Sequence, residues 1–135
     1  MFAITMTFMF LALMALVGDA DTLMVRYNQV DSEALLGAQA GATAVDVDAL
    51  YRQPPAYRLK PDGPDGAVQR CQSIPLAGGD PRTHRIACTF DAPSSVTATV
   101  SWEVTLPIPL FMRSAAVRAT RSGRAVFGGQ RAVIP

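Results

Sequence analysis

The chain has 135 residues and a mass of 14.4 kDa, the size of one domain. Half of its residues are apolar, 17% are charged and the mean hydropathy is +0.21, which excludes a disordered or low-complexity chain. The formal net charge of +1 argues against a protein that binds nucleic acid through surplus Lys and Arg.

The two halves of the chain carry opposite charge. Residues 1–67 contain four basic and eight acidic side chains, whereas residues 68–135 contain eight basic and three acidic ones. This split predicts that the halves complement each other, either within one chain or between copies. A chance distribution of solvated charges is the alternative.

The first predicted element, over residues 1–18, is a transmembrane helix. Residues 2–18 contain no charged side chain, and such a segment is at the short end of the ~17–25 residues that span a bilayer. We expect a retained anchor rather than a signal peptide cut after Ala20, because no Lys or Arg precedes the segment. The predicted anchor residues are Phe2, Phe8, Phe10, Leu11, Leu13, Leu16 and Val17.

A helical spacing of apolar and small residues continues beyond the anchor. These residues recur every three or four positions up to Ala49, and no helix breaker occurs before Pro54. We therefore expect one helix over residues 2–52, about 75 Å long at 1.5 Å per residue, whose extracytoplasmic part spans 19–53. The side chains expected to pack on a partner are Leu23, Tyr27, Val30, Ala34, Ala38 and Val45.

The part of this helix outside the membrane is acidic. Its Asp pairs lie two residues apart and therefore do not face each other on a helix, so they favour solvated charges over a cation site. We expect these charges to pair with the C-terminal Arg residues of a neighbouring copy or of another assembly component. The candidate assembly charges are Asp31, Glu33, Asp46, Asp48, Arg118 and Arg121.

Residues 54–67 are predicted to form a Pro- and Gly-rich loop, and residues 68–135 a small antiparallel β domain. Cys71 and Cys88 favour one disulfide, since the chain carries an export or membrane signal; two free buried thiols are the alternative. His84 is the only histidine and lies in a polar loop sequence, which predicts a solvated side chain. The sequence thus predicts no metal ligand, no cofactor and no catalytic residue.

The clearest strand pattern is a strict alternation of apolar and polar residues over residues 96–106. Similar alternation over 86–90 and 115–120 predicts two neighbouring strands, and the tail around 128–134 is expected to be an edge strand or a mobile end. The expected fold class is α+β, with the long helix packed on the sheet. The predicted sheet core contains Val96, Val100, Trp102, Val104 and Leu106.

Three stretches together resemble the TadE/TadG-like proteins of tight-adherence (Flp) pilus systems. The opening FAITMTFMFLALMALVG is similar to that family's membrane segment, and VTATVSWEVTLPIPLF is similar to its late strand. The intervening helix places Gln29, Asp31, Ala34, Gly37, Ala38 and Gly41 at positions comparable to the family pattern.

The resemblance implies a pseudopilin or minor pilin of the inner membrane, with one membrane pass and an extracytoplasmic C-terminal domain. Its partners would be the bilayer, other pilus subunits and the assembly platform, with no nucleic acid and no small-molecule substrate. Prepilin processing in that family would need a basic leader, a Gly before the cut and a Glu after it, and none of these precedes Phe2. We expect either a start upstream of Met1 or an unprocessed member. A secreted binding module or an accessory subunit of another envelope machine is the alternative function.

Overall fold

The computed structural model describes residues 2–109 and 112–126. Three helices precede three strands: α1 (Phe2–Ala42), α2 (Val47–Leu50), α3 (Ala67–Gln72), β1 (His84–Asp91), β2 (Ser95–Thr105) and β3 (Ser114–Arg124). The strands form one antiparallel sheet in the order β1-β2-β3, and α1 packs against it. This is the expected α+β arrangement. The predicted strand or mobile end around 128–134 lies outside the described residues.

The long helix ends at Ala42, earlier than the predicted residue 52. Beyond it the backbone turns and pairs with the 54–67 segment: the N–H of Asp46 donates to the carbonyl of Arg58, and the N–H of Lys60 donates to that of Ala44. The expected helical position of Val45 is therefore wrong, because this residue forms an isolated β-bridge with Leu59.

A new short helix, α2, begins directly after this bridge. Asp46 caps it, since its carboxylate accepts the N–H of Ala49 at 3.1 Å. Asp is a preferred residue at such a position because its side chain satisfies a helix N–H that has no partner in the helix. The spacing of apolar residues alone could not show this interruption.

The core lies between α1 and the inner face of the sheet. The predicted alternation of β2 is confirmed: its apolar residues are buried, and Leu106 immediately after the strand is 6% exposed. On α1, Val30, Ala34 and Ala38 are fully buried and Leu23 packs at the edge of the cluster. Tyr27 is an incorrect prediction, since it is 46% exposed.

Small residues let α1 approach its neighbours closely near its C-terminal end. A Cβ atom on Gly41 would lie 2.8 Å from Cγ1 of Val96 and 2.9 Å from the carbonyl oxygen of Ala67, both closer than ordinary contacts. Ala67 begins α3, a helix that the predicted loop and β domain did not include. The close approach explains why this part of α1 is rich in Gly and Ala.

The predicted disulfide joins Cys71 of α3 to Cys88 of β1, with the Cα atoms 6.2 Å apart. The alternative of two free thiols is therefore wrong. Cys71 is fully buried and packs in the same cluster as Ala38 and Val96. The bridge fastens the short helix α3 to the sheet beside the last turns of α1.

The directions of α1 and β2 are opposed. Val96, at the start of β2, lies beside Gly41 near the end of α1, whereas Trp102 lies 4.6 Å from the guanidinium of Arg26. The β2–β3 connection is therefore at the end of the domain nearest the apolar segment of α1.

Candidate functional site

The first 17 residues of α1 extend beyond the sheet and expose an apolar surface. Every predicted anchor residue in this segment is at least half exposed. The helix is long and apolar enough to cross a membrane, with a mean hydropathy of 1.9 over its most apolar window. A signal sequence near the N-terminus has the same length and composition, so these properties fit either an anchor or a signal.

A second group of exposed apolar side chains lies further along α1, outside the core contact with the sheet; at its edge, Leu35 lines a pocket together with Ser122 and Arg124 of β3. We call Met24, Val25, Leu35 and Leu36 the outer α1 face, and these side chains are 44–67% exposed. On the opposite side of the same turns, Val30 and Ala34 are fully buried against β2 and β3. The helix is thus apolar on both sides although only one side contacts the sheet.

A buried polar cluster joins α1 to the sheet. Nε2 of His84 lies 2.7 Å from Oε2 of Glu33, and the other carboxylate oxygen of Glu33 accepts the N–H of Ala77 at 2.9 Å. Nδ1 of His84 is 2.8 Å from the carbonyl oxygen of Gly78. Glu33 is 5% and His84 3% exposed. These contacts hold the loop before β1 against α1.

The hydrogen bond between Nδ1 of His84 and Gly78 requires a hydrogen on Nδ1. Because a carbonyl oxygen only accepts hydrogen bonds, Nδ1 donates its hydrogen to Gly78. One further hydrogen, shared between His84 and Glu33, then completes their short bond. The imidazole also stacks on the indole of Trp102, with ring centroids 4.2 Å apart and an angle of 4° between the rings.

The prediction of a solvated His84 is therefore wrong, and Glu33, which the sequence offered as an assembly charge, is buried inside the chain. The loop sequence around His84 obscured the fact that it shares the alternation of Ile86 and Cys88, which places it on the inner face of the sheet. Glu33 lies one helical turn before Gly37, on the face that contacts the sheet. Extending the strand alternation from Ile86 back to His84, and the helical spacing from Gly37 back to Glu33, places both residues on the faces where α1 and the sheet meet.

The opposite charges of the two halves meet within one chain. The guanidinium of Arg121 donates to both carboxylate oxygens of Asp31 at 2.7 and 2.8 Å. The hydrogen bond from Arg121, assisted by its charge, lowers the pKa of Asp31. This intramolecular pair uses two of the side chains that the sequence assigned to contacts between subunits.

Asp46 is also engaged within the chain. Nε of Arg58 donates to its carboxylate at 2.9 Å, and this hydrogen bond, followed by that from the N–H of Ala49, lowers the pKa of Asp46. Asp48 and Arg118 are exposed and form no ion pair with any residue of the described ranges 2–109 and 112–126. They are the two predicted assembly charges that stay available.

Within the part of the chain that the structure describes, no three His, Cys, Asp or Glu side chains lie close enough to hold a metal ion. Comparison with protein-family models, with curated proteins and with solved structures finds no match. The resemblance to TadE/TadG-like proteins therefore depends only on the sequence stretches quoted above.

Proposed function

We propose that the protein is a membrane-anchored pseudopilin-like subunit that takes part in assembling a tight-adherence pilus by packing against other subunits. The observation that carries this proposal is that α1 exposes large apolar side chains in two regions. The first is the predicted anchor, and the second is the outer α1 face, which begins at Met24, more than one helical turn beyond Gly18. The domain then presents a helix side that neither the sheet nor the bilayer covers.

An exposed apolar helix side outside lipid favours association with another helix. The outer α1 face consists of two pairs of large side chains, and the residues between them include the small polar Asn28 and Ser32. Such a surface fits the apolar N-terminal helix of a second subunit, as the resemblance implies. The sheet, on the other side of α1, would then face outward.

The disulfide supports an extracytoplasmic position for the C-terminal domain. Disulfides persist in oxidising compartments and are rare in the cytoplasm. The bond between Cys71 and Cys88 lies in the part of the chain after the anchor. A single-pass protein of the inner membrane with this domain outside the cytoplasm satisfies both the anchor and the disulfide.

The charges that would contact other subunits are fewer than the sequence indicates. Because Arg121 pairs with Asp31 inside the chain, reversing its charge would disturb the fold as well as any assembly. Arg118 and Asp48 are the appropriate positions for a test of intersubunit charge pairing. Arg118 lies on β3 and Asp48 on α2, so substitutions at the two positions test different parts of the surface.

A photo-crosslinking residue at Leu36 tests the proposal in the native membrane. The matched control is Ala87, which is exposed on the outer face of the sheet. We expect the Leu36 position to crosslink to a second copy or to another pilus subunit with an apolar N-terminal helix, and the Ala87 position not to do so. No crosslink at either position, or equal crosslinking at both, would contradict assembly through the outer α1 face.

The identity of the crosslinked partner also separates the alternatives. A component of a different envelope machine would favour the accessory-subunit function. A secreted binding module cut after Ala20 would keep Val30 and Ala34 packed on the sheet but would lose the anchor. Its recognition surface would be the outer face of the sheet, where the hydroxyls of Thr99 and Thr120 lie 3.0 Å apart.

A further inference from the structure

The connection between β2 and β3 has an unusual composition for a turn. From Leu106 to Met112 the sequence LPIPLFM contains two prolines, which are common in turns, but it has no polar side chain and none of the Gly, Asn, Asp or Ser that turns also ordinarily carry. Ile108 is 42% and Met112 59% exposed. This end of the sheet therefore presents large apolar side chains outward.

The position of this turn is fixed relative to the anchor. The N–H of Ile108 donates to Oδ1 of Asp19 at 3.3 Å, and Asp19 is the residue that directly follows the uncharged segment 2–18. Ala15, one helical turn earlier, is 6% exposed, although all the residues before it in the described helix are exposed. The turn thus lies at the level where the predicted anchor leaves the bilayer.

The backbone of residues 106–109, the first part of the turn, is suited to an apolar environment. Pro107 and Pro109 have no N–H group, and the N–H of Ile108 between them is bonded to Asp19. The N–H of Leu106 donates to the carbonyl of Arg113 at 3.0 Å, which closes the hairpin. Residues 106–109 therefore carry no backbone N–H without a partner, as contact with hydrocarbon requires.

From this composition, position and backbone pairing we infer that Ile108 and Met112, on the described parts of the β2–β3 turn, insert into the membrane interface beside α1 as a second lipid contact. The inference depends on the proposed membrane anchor. Arg113, exposed at the base of the turn, is placed to meet anionic headgroups. Two contacts with the bilayer would fix the tilt of the domain on the membrane, which a single helix leaves free.

Quenching of tryptophan fluorescence by brominated lipid tests this inference. The full chain is reconstituted into vesicles of phosphatidylcholine and phosphatidylglycerol with bromine near the headgroup end of the acyl chains. Emission from Ile108→Trp and Met112→Trp is compared with that from Tyr51→Trp, and the signal of the natural Trp102 is subtracted. Tyr51 is 86% exposed and lies beyond the far end of α1, so it serves as the control.

We expect bromine to reduce the emission of Ile108→Trp and Met112→Trp and to leave that of Tyr51→Trp unchanged. A further variant, Leu13→Trp, reports on the anchor itself. If Leu13→Trp is quenched while both turn variants behave like Tyr51→Trp, the inference is wrong and the anchor stands. If Leu13→Trp is not quenched, the membrane anchor fails, and the interfacial turn fails with it.

Discussion

Glu33 of α1 and His84 of β1 are 51 residues apart in sequence, and their side chains meet at 2.7 Å in the interior of the domain. Both side chains are more than nine-tenths buried. Glu33 also accepts a hydrogen bond from the N–H of Ala77, and His84 forms one with the carbonyl oxygen of Gly78. This pair links the helix that carries the predicted anchor to the first strand of the sheet. It is the polar contact whose removal should cost the domain most.

We predict that Glu33→Ala lowers the free energy of unfolding by about 3–5 kcal/mol, because it leaves the buried His84 without its partner. Glu33→Gln should cost less, since an amide can accept from Ala77 and donate to His84. Urea unfolding of the full chain in detergent, followed through Trp102 fluorescence, measures both. Asp48→Ala is the exposed control, with an expected change within about 0.5 kcal/mol. Equal stability of Glu33→Ala and this control would contradict a structural role for the pair.

The disulfide should contribute a comparable amount. Cys71 and Cys88 are separated by 17 residues, and closing a loop of that size stabilises a fold by about 3 kcal/mol in the chain-entropy model. We expect the double variant Cys71→Ala, Cys88→Ala to unfold at a correspondingly lower urea concentration. The unmodified chain under reducing conditions should behave in the same way. If the double variant is as stable as the oxidised chain, packing alone holds α3 against β1 and the disulfide adds no stability.

The pair between Asp31 and Arg121 predicts a specific acid dependence. Because the hydrogen bond from Arg121 lowers the pKa of Asp31 below its ordinary 3.8, the folded state holds the proton less readily than the unfolded state. The stability that this pair contributes is therefore present above pH 3.8 and is lost as the pH falls through the lowered value. Asp31→Asn should lose less stability than the natural chain in that interval.

Asp48→Asn is the matched control for this acid dependence, since Asp48 forms no ion pair with any residue in the described ranges. This variant keeps the pair between Asp31 and Arg121, so it should show the acid loss of stability that Asp31→Asn lacks. Direct titration of the Asp31 carboxyl by NMR should give a midpoint below 3.8. A midpoint at or above that value would contradict the ion pair in solution.

Two glycines of α1 should respond oppositely to the same substitution. A Cβ on Gly41 would contact Val96 and the backbone of Ala67, so Gly41→Ala should destabilise the domain by about 1–3 kcal/mol through overpacking. Gly18 has nothing within 4 Å, and Gly18→Ala should be neutral or raise helix stability by about 1 kcal/mol. Urea unfolding and helix content by circular dichroism measure the two effects. Similar values for both variants would contradict the close approach of α1 to α3.

Periodicity predicted the features of the fold that depend on local pattern. The eleven-residue alternation of β2 and the helical spacing from Val30 to Ala38 follow from one-sided burial, and both are confirmed. Pairing between distant segments was not predictable in this way. The bridge between Val45 and Leu59 accompanies the early end of the helix, and no proline occurs there. Gly41 directly precedes the last helical residue, but Gly18 and Gly37 lie inside the same helix, so a glycine alone did not indicate the end.

The polar contacts were predicted less well than the apolar ones. The sequence indicated that the two halves attract each other but left open whether they do so within one chain, and the structure places Asp31 and Arg121 together inside it. His84 was assigned to solvent because of its neighbours in sequence. The disulfide was correctly predicted because only two cysteines are present, so only one pairing within the chain exists.

The central claim, a subunit held in the membrane by α1, is tested most directly by the intact mass of the protein purified from its native membrane. The mass is taken with and without reduction and alkylation. The account predicts a chain that retains residues 2–18, with Cys71 and Cys88 blocked until reduced. A mature chain that begins at Asp21 would contradict the anchor, and with it both the pilin-like assembly and the interfacial turn.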